Sequence, residues 1–460
     1  MKSGSALSGK SLLQGIYDQF KNVKDKREPL KVEIPMADAL MSAFAVFSLK
    51  FTSLLKFEEA MQNKLHYSNL GSVYNVSRIP SDTQMRTIID DVESDDLRIV
   101  FKSLLLKAQR AKLLNKFSFI DGKYLLPLDG TGYFYSDKIH CSSCMKKTIE
   151  KDGKPVDVYY HQMLCGSLVK PGLDKVIPLY PEAIRKQDIG EDLNDSEKNA
   201  AHRFLKNFRE DHPRLSVIVV ADALHANGPL IRNLKLMDMD FILNVKPGSH
   251  EKLFMHVERW ETLKELKTHV VEEEIGEKIK KKVIHEFQYK NRVLLNHADV
   301  NLAVNFIEYW ETTQWVNKDG ELKEQKRHFS WVTSLELKES NLMDIMRGGR
   351  ARWKIENETF NTLKNQGYEF EHNFGHGYKN LSVNFSCLMM LTFLFDQLQE
   401  LGCKLYQKAL KAVNSKRSTL FATLGGLYMM GAKGVKFVDY TQFIEVIALE
   451  NKWKLAPDTS

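Results

Sequence analysis

Three acidic residues of this chain stand where a carboxylate is costly. Asp129 follows the apolar run Tyr124 to Leu128 and precedes Gly-Thr-Gly; Asp222 follows Val217-Ile-Val-Val-Ala221. A continuous β-branched run of the second kind reads as a strand buried on both faces. Residues just past the strand ends of an α/β sheet line its site. A charge there is unfavourable unless it is paired or binds a metal. The third residue, Glu356, lies in Arg350-Ala-Arg-Trp-Lys-Ile-Glu356. At about 100° per residue, Arg352, Glu356, Phe360 and Leu363 share one helical stripe beside Trp353 and Lys364, and Glu358 falls about 160° from Glu356. Carboxylates from such distant positions suit oxygen-liganded divalent cations. Simpler readings stand beside this one. Asp before Gly is a common turn residue, and Glu356 four residues after Arg352 can form a helical ion pair. Asp121 competes with Asp129, but Asp121-Gly122 between two short apolar runs reads as a hairpin turn.

The elements that must position these residues form an α/β pattern. Residues 1–115 read as a helical N-terminal region, with a buried helix over 38–55, a start at Ser81 after Pro80, and an apolar stripe over 93–114. Strands are expected over 117–120, 124–128, 159–168, 217–221 and 241–245, with helices over 196–210 and from Pro229. Residues 116–249 then read as the first part of an α/β core and 250–335 as a β-rich insertion. Residues 336–410 complete the core with the helix that carries Glu356, expected as one helix over 340–366, followed by another over 380–410. A helical tail over 411–460 closes the chain.

Composition sets wide bounds. The chain has 460 residues, 43% apolar and 27% charged, with net charge +7. That is ordinary for a soluble globular protein with a mild lean toward polyanions. The N-terminus lacks the apolar core of a signal peptide, and the run Ala39 to Leu49 is too short to span a bilayer. A cytoplasmic, nucleoid-associated protein with no membrane partner is expected, and its five cysteines fit a reducing compartment.

Leu-Asp129-Gly-Thr, Val-Val-Ala-Asp222-Ala and Arg352-Trp-Lys-Ile-Glu356 together resemble the three catalytic blocks of bacterial insertion-sequence transposases with a DDE triad. The nearest likeness is to the group with a Tyr-Arg-Glu-Lys signature, over roughly residues 115 to 400. The resemblance implies an RNase H-like mixed sheet flanked by helices and interrupted by a β-rich insertion. It implies that Asp129, Asp222 and Glu356 bind catalytic Mg²⁺, for which Mn²⁺ can substitute, and that Arg352 lies near DNA phosphate. Two positions depart from the signature. Its Tyr would fall at Gly349 and its Lys at Leu363, one residue before Lys364. The subgroup is therefore divergent. Lys364 is carried as a DNA-binding candidate, and Glu358 remains an alternative third ligand.

The chemistry implied is metal-dependent cleavage at the element ends and attack of the freed 3′-OH on target DNA. Paired metal ions about 3.5–4 Å apart would stabilise the attacking and leaving oxygens. The partner is double-stranded DNA, and joining two ends requires at least a dimer during the reaction. Phosphate contacts are sought in Lys21 to Lys31, Lys107 to Lys116 and Lys278 to Lys282. The alternatives are a transposase-derived DNA-binding protein without catalysis and a metal-dependent DNA nuclease.

A second set of metal-ligating residues stands apart. Cys141 and Cys144 form a Cys-x-x-Cys preceded by His140 and followed by His161 and Cys165. Two thiolates and an imidazole are a partial structural-zinc set. The usual second knuckle is missing, so reduced, unliganded cysteines are the expectation, with Cys141, Cys144 and His161 as weaker zinc candidates. His225 stands near Asp222, and His372 and His376 lie in a glycine-bearing loop after the Glu356 helix; for each, packing is the plainer role. Trp353 is expected in the core, with stacking on a base as its alternative.

Overall fold

The computed structural model describes residues 6–141, 143–185, 195–276, 280–295, 302–429 and 436–449. Helices open the chain: α1 (Gly9–Phe20), α2 (Met36–Ser48), α3 (Leu54–Met61), α4 (Lys64–Tyr74), α5 (Asp82–Asp90) and α6 (Arg98–Arg110). Ser81 caps α5 in a reciprocal capping box with Gln84, as Ser-x-x-Gln after Pro80 predicts. Every residue of α2 is buried, because this helix lies inside the molecule and is apolar at nearly every turn.

The strands are β1 (Tyr124–Ser136), β2 (Met145–Lys151), β3 (Lys154–Leu168), β4 (Ile177–Pro178) and β5 (Glu182–Ile184). Then come α7 (Glu197–Asp211), β6 (Val217–Ala221), α8 (Gly228–Leu236), β7 (Asp240–Asn244), α9 (Glu251–Thr262), β8 (Lys267–Ile275), β9 (Lys281–Leu294), β10 (Ala303–Val316) and β11 (Leu322–Thr333). Along the described sheet the order is β2-β3-β1-β6-β7-β11-β10-β9-β8, with β4 and β5 pairing β3. β6 runs parallel to β1 and to β7, while β3 is antiparallel to β1. The four strands of residues 267–333 are antiparallel and join the same sheet through β11 and β7.

Several local expectations are corrected. Residues 117–120 form no strand; a single bridge joins Ser118 to Tyr124 across the turn. Asp121 and Gly122 both take positive φ, 50° and 76°, and the N–H of Lys123 donates to the carbonyl of Ile120 at 2.9 Å. That is the turn chemistry Asp-Gly predicts. β1 does not end at Leu128 but continues to Ser136, because β3 still pairs with it after β6 has stopped.

The acidic segment is not one helix over 340–366. α10 (Leu342–Arg350) ends in a turn, a π-helical stretch spans Ile355–Phe360, and α11 (Asn361–Asn365) follows. α12 (Leu381–Gly402), α13 (Lys404–Ala412), α14 (Arg417–Met429) and α15 (Tyr440–Ala448) complete the chain, the expected 380–410 helix being divided at Cys403. α12 is long and apolar enough to cross a membrane, but 94% of its apolar window is buried inside the protein, as in a core helix. α2 packs on α12, and α1 on α2, α6 and α15. The N-terminal helices thus share one hydrophobic core with the C-terminal ones.

Candidate active site

Asp129, within β1, and Asp222, just past the end of β6, stand at the same level of the sheet. The last register pair between β1 and β6 is Pro127 with Val220, so each Asp lies two residues beyond it on neighbouring parallel strands. Asp222 is half-buried, and its Oδ1 accepts the N–H of Leu224 at 3.0 Å, which holds the carboxylate against the chain turn. Asp129 is held differently. Its Oδ1 accepts the N–H of Gly130 at 2.9 Å, and its Oδ2 accepts from Arg352 Nη1 at 3.0 Å.

Arg352 is the residue on which the distant segments meet. The same Nη1 lies 2.9 Å from Glu356 Oε1, so one guanidinium is shared by Asp129 and Glu356. Its other side faces the indole of Trp353 at 4.6 Å. Trp353 is 50% exposed, contrary to the core position expected of it. In the structure the expected Arg352–Glu356 pair is part of this larger cluster. Glu358 is half-buried.

The π-helical stretch aims Glu356. The N–H of Asn361 reaches back five residues to the carbonyl of Glu356, widening the turn, as is common near functional sites. The buried hydroxyls of Thr359 and Ser167 meet at 3.0 Å and tie this stretch to β3. Lys354 donates to the carbonyl of Leu173 at 2.7 Å. Above it, Gly348 and Gly349 let α10 lie close on the sheet. A Cβ on Gly349 would stand 2.6 Å from the Trp331 ring, so that indole fills the space a larger side chain would take. Leu363 is fully buried, whereas Lys364 pairs with Glu371 at 2.7 Å beside a cavity lined by Tyr133, Tyr135, Lys147 and Tyr160.

A fourth carboxylate, Glu197, went unread in the sequence. It opens α7 beside its N-cap Ser196. A Cβ on Gly130 would meet Glu197 Oε2 at 2.5 Å, so glycine leaves room for this carboxylate beside Asp129. His225, buried, places Nε2 3.1 Å from Glu197 Oε1. The signal was legible: Glu197 continues the stripe of Ala200, Ala201, Phe204, Leu205 and Phe208, the buried face of its helix. Burial above all, with Glu356 and Glu197 nearby, pushes the Asp129 carboxyl up to about 7, although Arg352 opposes the rise. Carboxylates are the ligand type that suits a hard divalent cation; among the described residues, the group of three or more candidate ligands whose atoms lie within 4.8 Å of one another is the separate one of Cys141, Cys144, His161 and His376.

The basic stretches expected to meet DNA are largely engaged within the chain. Lys21, Lys26, Arg27 and Lys31 pair with Asp18, Glu93, Asp25 and Glu28. Lys107 and Lys116 donate to the carbonyls of Ser11 and Leu401. Lys282 pairs with Glu272, and Lys278 lies outside the described residues.

Cys141 and Cys144, between β1 and β2, come together with His161 of β3, and His376 joins them. His140 instead lies against the Tyr159 ring at 4.4 Å, Cys165 is buried opposite Asp129 on β3, and the His372 ring lies edge-on to Phe374.

No curated protein matches the chain. Residues 182–394, less than half of the 460, match the family model described as Transposase DDE domain. Asp222 and Glu356 fall inside that match and Asp129 before it, and the match supports a transposase of the DDE type.

Proposed function

We propose that this chain is an insertion-sequence transposase that cuts DNA at the ends of its element and joins the freed 3′-OH to target DNA. Asp129, Asp222 and Glu356 are its metal-binding triad in this reading. The observation that carries it is the shared guanidinium. Asp129 and Glu356, from opposite ends of the catalytic region, meet on Arg352 at 3.0 and 2.9 Å, while Asp222 emerges on the adjacent parallel strand at the level of Asp129. Strand order β5-β3-β1-β6-β7, with β3 antiparallel and β6 and β7 parallel to β1, supports an RNase H-like core.

Mg²⁺, or Mn²⁺ in its place, supplies Lewis-acid stabilisation of the attacking and leaving oxygens when bound. Arg352 keeps the carboxylates of Asp129 and Glu356 together and oriented, and stands ready to meet a phosphate. The Leu224 N–H fixes Asp222, and Glu197 with His225 buttresses the Gly130 side of the site. Water attacks the phosphodiester at the element end, leaving a 3′-OH. That hydroxyl then attacks a target phosphodiester, so one P–O ester bond forms as another breaks and no covalent protein–DNA bond is needed. Lys364, at the cavity rim, is the second proposed phosphate contact, and two DNA ends call for at least two chains.

Asp222→Asn tests the assignment. DNA binding measured by gel shift should persist, while Mg²⁺-dependent cleavage and strand transfer should fall by at least about a hundredfold, as when a transition-state charge stabiliser is lost. Cleavage at the wild-type rate would overturn the triad, and cleavage by the wild type without strand transfer would make the chain a nuclease instead.

A further inference from the structure

Four residues outside the carboxylate site converge on one point. The ligand atoms of Cys141, Cys144, His161 and His376 all lie within 4.8 Å of one another and are buried. The two Sγ atoms are 3.8 Å apart. His161 Nε2 is 3.4 Å from each sulfur, and His376 Nε2 is 3.1 Å from Cys144 Sγ.

These spacings discriminate between explanations. A disulfide would bring the sulfurs to about 2.05 Å. Tetrahedral ligation with Zn–S of about 2.3 Å and Zn–N of about 2.0–2.1 Å instead requires sulfurs about 3.8 Å apart and sulfur–nitrogen distances of about 3.6 Å. The observed sulfur pair matches that figure, and the sulfur–nitrogen pairs, at 3.1–3.4 Å, are shorter than theirs. Both histidines present Nε2 to the centre, and the Cys141 N–H donates to Cys144 Sγ at 3.3 Å, a contact that favours a thiolate. Aromatic rings close the surroundings: Tyr133 stacks on His161 at 5.7 Å, and Phe134 lies 4.2 Å from His376.

We propose that Cys141, Cys144, His161 and His376 bind one structural Zn²⁺ in a closed Cys₂His₂ site. Four protein ligands leave no position for water, so the ion holds structure and takes no part in strand cleavage. Its role is set by what it joins. Cys141 and Cys144 lie in the connection between β1 and β2, His161 is on β3, and His376 belongs to the loop between α11 and α12. That loop is gripped from its other side by Asp90, whose carboxylate accepts the N–H groups of residues 378 to 381 at 2.8–3.2 Å. Zinc would therefore clamp the segment following Glu356 to the strands that carry Asp129, whatever DNA reaction the chain performs.

The test is zinc content of the purified full chain by plasma mass spectrometry after EDTA dialysis. About one zinc per chain is expected, falling on the order of tenfold or more in Cys144→Ser and His376→Ala but not in His140→Ala. Should those variants fail to fold, the wild type still decides. Cobalt refilling should give the visible spectrum of tetrahedral thiolate ligation, and Cys141 and Cys144 should resist alkylation until a strong chelator is added. Trace zinc in the wild type, a Cys141–Cys144 disulfide, or full zinc in a folded His376→Ala would overturn the site.

Discussion

Asp129 shows at the scale of one residue what crowding does to a carboxylate. Burial, with Glu356 and Glu197 close by, lifts its pKa from 3.8 to about 7 against the pull of Arg352. Between those values the folded chain holds a proton that the unfolded chain has released, so folded stability falls as pH rises through this window. Without divalent cations, the melting temperature should drop more steeply from about pH 4 to about pH 7 in the wild type than in Asp129→Asn. Equal slopes would remove Asp129 as the source. Asp129 and Asp222 stand out in the sequence because a charge after an apolar run is rare unless used, and Glu356 because it shares a helical stripe with Arg352 and Leu363. Glu197 was missed because an acidic residue in a helix's first turn already has an ordinary explanation in the helix dipole.

At the scale of the element, the helix carrying Glu356 departs most from its expectation. Uniform α-helical phase placed Arg352, Glu356 and Leu363 on one stripe, but the turn at 351–352 and the π-helical stretch break that phase. Glu356 still meets Arg352 four residues back, so the local pair was readable although the helix was not continuous. Gly349, where the signature would place a tyrosine, is explained by Trp331 of β11, against which it packs. Gly349→Ala should destabilise the chain by about 1–3 kcal/mol through overpacking, read from urea unfolding, and Trp331→Phe in the same chain should recover part of that loss. A neutral Gly349→Ala would mean that the indole yields freely.

At the scale of the whole molecule, the N-terminal helices are built into the C-terminal ones. Lys50, just past α2, pairs with Asp396 of α12 at 3.1 Å, both side chains 8% exposed, and the Tyr368 hydroxyl completes the group at 2.6 Å. Removing one partner leaves an uncompensated buried charge, so Lys50→Ala should cost about 3–5 kcal/mol in chemical unfolding, whereas Lys50→Met with Asp396→Leu should fall much nearer the wild type. A small loss in Lys50→Ala would show that the pair does not hold the two regions together. The sequence by itself determined what depends on neighbours along the chain. Apolar runs marked β6 and α2, Asp-Gly marked the turn before β1, and Arg352 four residues before Glu356 marked their pair, because these signals act over a few residues of backbone. Only the tertiary structure decided what depends on distant segments. It extended β1 by pairing it with β3, brought Glu197 to Gly130, and carried His376 to the sulfurs of Cys141 and Cys144. Residues 232 positions apart, as Cys144 and His376 are, carry no local signal of their meeting; the packing of helices on the sheet fixes it.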